Sequence, residues 1–213
     1  MSEHTAGCHG CHVAGGAPVR GSRALPRRVP VPPSRSSTGA GTSEKSSAPV
    51  PGLTVMNRQR RLPLDSDWLR RALTRVAAKE HLGRSAVNVV LVSDRQIRRL
   101  NRDFHGRAEV TDVLTFDYGP AGGEDDVEAE VVVSAERALA EALSRGLPPD
   151  GELLLYCIHG LLHLAGYEDG TPAARQRMWR RQLWHLAGAG FPARRWEDSP
   201  RASGNPSRTE STR

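Results

Sequence analysis

A chain of 213 residues allows one ordinary domain with tails, and its apolar runs are too short to cross a bilayer. The formal charge of +6 belongs to the ends, because residues 51–192 hold nineteen basic and nineteen acidic side chains. The basic balance is therefore silent on what the middle binds. Three cysteines (Cys8, Cys11, Cys157) argue against a disulfide framework, and the opening MSEHTAGCHGCHVAGG lacks the basic start and apolar core of a secretory signal. The expected location is the cytoplasm.

Residues 1–50 are rich in Ser, Pro, Gly and Ala and nearly devoid of large apolar side chains. Such a segment cannot bury enough surface to offset its ordering entropy, so we expect a disordered arm. Within it, Cys8-His9-Gly10-Cys11-His12 has the spacing of haem attachment. Without an export signal or a surrounding fold we assign no haem to it. Met56 is an alternative start.

Order is expected from Leu53-Thr54-Val55, a short strand. Asp65 or Ser66 can cap a helix with Leu69, Ala72, Leu73, Val76 and Ala77 on one face. Val87 to Val92 is a β-branched run and the clearest strand. Asp94 is read as the cap of a second helix, with Ile97, Leu100 and Phe104 inward and Arg95, Arg98, Arg99 and Arg102 outward. That basic face is a solvated surface or a phosphate contact. A polar loop leads to a strand at Val113–Phe116. An acidic loop, Gly122 to Asp126, separates it from another at Glu128–Val133, and the two should be neighbours. Ser134 caps a helix with Ala135, Ala138, Leu139, Ala142 and Leu143 on one face, stopped at Gly146.

Asp150 opens a helix that is apolar almost all round and carries His159 and His163. Residues four apart share a helix face one turn apart, so both imidazoles aim at one point. Two such rings buried without partners would be costly, whereas a metal ion, most often zinc, would satisfy them. Gly166 should end the helix, and the reversal can bring Glu168 or Asp169 back as a third, oxygen ligand. Three protein ligands leave a position for water. A metalloprotease needs Glu directly after the first His, and Gly160 stands there. Thr171-Pro172 opens a final helix with Met178, Trp179, Leu183, Leu186 and Ala187 inward; Trp179 and Trp184 are read as packing residues. The expected architecture is one α/β (α+β) domain over 51–192, a mixed sheet of about four strands packed with helices, the metal site on a buried helix. Residues 193–213 read as a polar tail.

Two separated motifs, LNRDFHGRAEVTDVLTF (Leu100 to Phe116) and HGLLHLAGYED (His159 to Asp169), together resemble the YbeY family of ribosomal RNA maturation endoribonucleases. The family patterns read roughly LNxxYRxKDxPTDVLSF and HGxLHLxGYDH. The resemblance covers about residues 53–190. It implies a single α/β domain holding one zinc ion per chain, with His159 and His163 as ligands. The family's third ligand is His; Asp169 occupies that position here, and a carboxylate can also bind zinc. The family arginine is His105 here, Arg107 matches the family lysine, and Val110 replaces a proline, while Thr111-Asp112-Val113-Leu114 is intact.

The resemblance further implies a zinc-dependent, single-strand-specific endoribonuclease that matures the 3′ end of small-subunit ribosomal RNA and serves ribosome quality control. Arg107 and a protonated His105 would stabilise charge on the phosphoryl oxygens, and Glu168 is the candidate general base. Expected partners are ribosomal RNA and the small ribosomal subunit, with no membrane and no DNA, and the chain is expected to be a monomer. The alternatives are a ribosome-assembly RNA-binding factor with structural zinc, and a metallopeptidase, which Gly160 disfavours.

Overall fold

The computed structural model describes residues 13–14, 52–82, 86–119 and 128–199. The Cys8–His12 motif, nearly all of the expected arm, the acidic loop at 122–126 and the last residues of the tail lie outside them. The elements are β1 (Val13–Ala14), β2 (Gly52–Asn57), α1 (Ser66–Lys79), β3 (Ala86–Val92), α2 (Asp94–His105), β4 (Val113–Asp117), β5 (Ala129–Ser134), α3 (Ala135–Arg145), α4 (Pro149–Leu164), α5 (Pro172–Gly188) and α6 (Arg194–Glu197). The strands form one mixed sheet in the order β1-β4-β5-β3-β2. β2 and β5 run parallel to β3, and β4 is antiparallel to β5. The four strands read from the sequence are all present; the two-residue β1 adds a parallel pairing at the outer edge of β4.

β3 is buried without alternation from Val89 to Val92 because both sheet faces are covered there. Val87, Val89 and Leu91 join Val113, Val131 and Val133 in a core roofed by α1, α3, α4 and α5. Val90 and Val92 join Leu114, Phe116 and Val132 in a smaller core on the opposite face, closed by Ile97 of α2. α4 is buried from Gly151 to His163, since it lies between the sheet and the neighbouring helices α1, α3 and α5. It lies close against the sheet at Gly160, where a Cβ atom would stand 2.4 Å from Val131 Cγ1. Only a residue without a side chain lets the helix approach that far.

The expected caps at Asp65, Ser134 and Thr171 are present, each accepting a backbone N–H of its helix. α2 differs: its cap is Ser93, which forms a reciprocal capping box with Gln96. Asp94 sits in the first turn and accepts a hydrogen bond from the Ser134 hydroxyl at 2.5 Å, tying the starts of α2 and α3 together.

Phe104, Leu143 and Ala187, expected inward, are exposed, as is Trp184, which was read as a packing residue. Phe104, in the last turn of α2, is 44% exposed and meets Phe116 edge-on, 5.2 Å between ring centres. Leu143 is 68% exposed, at the margin of the α3 stripe set by Ala135, Ala138 and Ala142. Trp184 is 51% exposed, with Arg181 stacked 4.4 Å over its ring. Conversely, packing runs past residue 192. α6 buries Trp196, whose indole N–H donates to Glu152 at 2.6 Å and whose ring lies against Gly151.

Candidate metal centre

The end of α4 and the reversal after it build the site. Ala165 caps α4, and Gly166 turns the chain with φ +85°, a left-handed conformation that a Cβ disfavours. The backbone then brings Tyr167 and Asp169 back beside the last turn. The Tyr167 carbonyl accepts from His163 Nδ1 at 3.0 Å, which fixes that ring and leaves its Nε2 as the acceptor nitrogen. His159 Nε2 and His163 Nε2 lie 3.1 Å apart, their rings nearly perpendicular. Asp169 Oδ2 is 3.9 Å from His159 Nε2. One donor atom from each of His159, His163 and Asp169 lies within 4.8 Å of the others.

This donor set fits a small divalent cation. Two imidazole nitrogens bound tetrahedrally to zinc stand ~3.3 Å apart, given zinc–nitrogen distances near 2.0–2.1 Å. The observed 3.1 Å needs almost no change. Asp169 must close by about half an ångström, and its side chain is 21% exposed. The rings are buried at 2% and 7% exposure, so they meet the cation largely stripped of water. Burial holds the His163 pKa below the ordinary imidazole value, against the opposing pull of Asp169, the Tyr167 carbonyl, Glu168 and Asp112. Its lone pair is therefore available at neutral pH without displacing a proton.

The remaining sequence candidates are distributed around this trio. Glu168 is exposed, and its charge acts on His163. His105 closes α2 and stacks on Phe116, 6.4 Å between ring centres, in the core on the other face of the sheet from α4. Arg107 is exposed in the loop before β4. The structure thus gathers His159, His163 and Asp169, sets Glu168 at their margin, and leaves His105 and Arg107 outside the cluster.

Two residues that sequence reasoning gave no role lie close by. Asp112 is buried at 4% exposure and its charge is felt at His163. Its carboxylate accepts from the Val113 N–H at 3.1 Å and the Thr111 hydroxyl at 3.2 Å. A Thr-Asp pair at the mouth of a strand was the available signal. Gln182 of α5 reaches His159 Nδ1 at 2.7 Å. No local pattern announces it.

The fold and site define a class: a mixed-sheet α/β domain with a His–His–carboxylate cluster at the end of a buried helix. The family model for Endoribonuclease YbeY matches residues 54–189. Curated relatives of that name include one from Anaeromyxobacter sp. (strain Fw109-5), 40% identical over 53% of this chain and 60% of its own length. Those from Chlorobaculum parvum and Moorella thermoacetica are 34% and 33% identical, over 63% and 65% of this chain and 92% and 97% of theirs. The solution structure of TM1509 from Thermotoga maritima aligns at 28% identity over 73% of this chain and 99% of that one, with a TM-score of 0.47. The chain belongs to the YbeY family.

Proposed function

We infer that the chain is a metal-dependent endoribonuclease of ribosomal RNA maturation, with zinc held by His159, His163 and Asp169. The observation that carries this reading is the convergence of two Nε2 atoms and a carboxylate within 4.8 Å at the end of a buried helix. The relatives' shared name, Endoribonuclease YbeY, supports RNA as substrate. When bound, the cation would lower the pKa of a coordinated water and polarise a phosphoryl oxygen.

The chain's own residues have the following roles in this account. Tyr167 and Gln182 orient the two imidazoles. Glu168, exposed beside Asp169, is the candidate base at the attacking water. Arg107, from the loop before β4, supplies positive charge for the phosphoryl oxygens, with His105 behind it. The substrate backbone would run along Arg95, Arg98 and Arg102, all exposed on α2, giving affinity without sequence readout. No helix among the described residues is long and apolar enough to cross a membrane. A cytoplasmic monomer acting on the small ribosomal subunit at the 3′ end of its RNA, and serving ribosome quality control, completes the proposal. The nuclease domain is residues 51–192, extended by α6, with residues 1–50 as an arm.

One observation favours a second reading. His105, at the place of the family's arginine, is packed on Phe116 rather than gathered with the metal ligands. A ribosome-assembly factor with structural zinc and little catalysis would tolerate that. Cleavage of a single-stranded RNA oligonucleotide by the purified chain separates the two. The nuclease reading predicts cleavage that a chelator abolishes and zinc restores. Zinc bound without cleavage supports the assembly factor.

A further inference from the structure

Gln182 is 1% exposed, and its amide nitrogen lies 2.7 Å from His159 Nδ1. Beyond it the contacts continue in a line. His159 Nε2 is 3.1 Å from His163 Nε2, and His163 Nδ1 donates to the Tyr167 carbonyl at 3.0 Å. The direction of each hydrogen bond follows from the last. His163 holds its one proton at Nδ1, so its Nε2 accepts. If the Gln182 amide donates to Nδ1 of His159, that ring holds its proton at Nε2 and donates it to His163. Each ring nitrogen then has a partner, but the Nε2 lone pair of His159 does not exist in that tautomer.

A cation between the rings requires the other tautomer. A neutral imidazole has one N–H, so freeing Nε2 places the proton on Nδ1, and Nδ1–H then needs an acceptor. Gln182 carries one. Rotation about the last side-chain torsion exchanges the amide nitrogen and oxygen at nearly the same position, so Oε1 can stand where the nitrogen stood. The ring stays neutral throughout; its proton is relocated from Nε2 to Nδ1 by exchange with water, and none is lost.

Resting on the zinc reading above, we propose that Gln182 is a positioning residue for the metal centre: by turning its amide it accepts from His159 Nδ1–H and frees His159 Nε2 for the cation. An amide suits this because it can donate in one orientation and accept in the other. An ionised carboxylate can only accept, so it would hold His159 in the metal-ready tautomer permanently. An aliphatic side chain would leave Nδ1–H buried without a partner.

The test uses the full chain and Zn2+ alone. Zinc affinity is measured by competition with a chromophoric chelator for the wild type, Gln182→Glu and Gln182→Leu. The proton position on His159 is read by nitrogen-15 NMR with and without zinc. The expected result is a roughly 10–100-fold loss of affinity in Gln182→Leu. Gln182→Glu should bind zinc more tightly than the wild type and show the proton on Nδ1 before zinc is added. The wild type should show it there only with zinc. A Gln182→Leu chain with wild-type affinity overturns the proposal. So does a Gln182→Glu chain that binds more weakly than the wild type, as a merely structural amide would require; that variant decides the matter if Gln182→Leu fails to fold. A wild type that binds no zinc sinks the metal reading itself, a distinct outcome.

Discussion

Replacing Gly160 with Ala adds one methyl group where α4 packs directly on β5. The new Cβ would meet Val131 Cγ1 at 2.4 Å, with Thr115 Oγ1 and Val113 Cγ2 each at 3.2 Å. Ordinary contact begins at 3.4 Å, so α4 or β5 must retreat by about 1 Å. Neither gives easily. Val131 is fully buried on a strand paired on both sides, and α4 is buried from Gly151 to His163. Overpacking of this kind costs ~1–3 kcal/mol, and the rigid neighbours argue for the upper end. Against it stands the helix propensity of Ala over Gly, worth ~1 kcal/mol. The net expectation is a loss of about 2 kcal/mol in urea unfolding. Gly188→Ala is the matched control. It lies in the last turn of α5 with nothing within 4 Å of its Cβ position, and should be neutral or slightly stabilising. Because His159 precedes Gly160, the same retreat should weaken zinc binding. A Gly160→Ala chain as stable as the wild type would refute the argument that glycine is there for close packing.

Other expectations follow from the buried charges. Arg145 Nη1 lies 3.3 Å from Glu152 Oε1, at 4% and 0% side-chain exposure. Arg145→Ala should therefore cost ~3–5 kcal/mol by leaving the buried Glu152 charge without its counter-ion, the Trp196 N–H still bonded to it, and adding Glu152→Gln should recover part of it, read by urea unfolding. Burial lowers the pKa of both His163 and His185. The unfolded chain takes up protons near pH 6.5 while the folded one does not, so in the presence of a chelator stability should fall as pH drops through about 6.5. A flat profile there would contradict the burial of the two rings. Asp169→His should keep the fold and tighten zinc, measured by chelator competition; weaker retention would remove Asp169 from the ligand set.

Much of this was legible because the signals were local. The β-branched run of β3, the caps at Asp65, Ser134 and Thr171, and the glycine stop at Gly166 are each written within a few residues. The clustering of His159, His163 and Asp169 was legible for the same reason: two histidines one turn apart and a carboxylate three residues past the stop form a single short segment. What escaped was long-range. Gln182 meets His159 across 23 positions and two helices, and Trp196 meets Glu152 across 44. A lone tryptophan in a polar stretch reads as tail until its partner is known. Phe104 and Leu143 have the periodicity of inward residues, but periodicity gives the angle around a helix and not how far the neighbouring surface extends. Gly160 was read as a missing base. Its physical reason, the approach of α4 to β5, belongs to packing that no spacing reveals.

The most direct test of the metal centre is metal analysis of the purified chain after exposure to zinc and removal of the excess, for the wild type and His163→Ala. The account predicts one zinc per wild-type chain and none in the variant, with the variant still folded by circular dichroism. A wild type without zinc, or a folded His163→Ala chain that keeps its zinc, would contradict it.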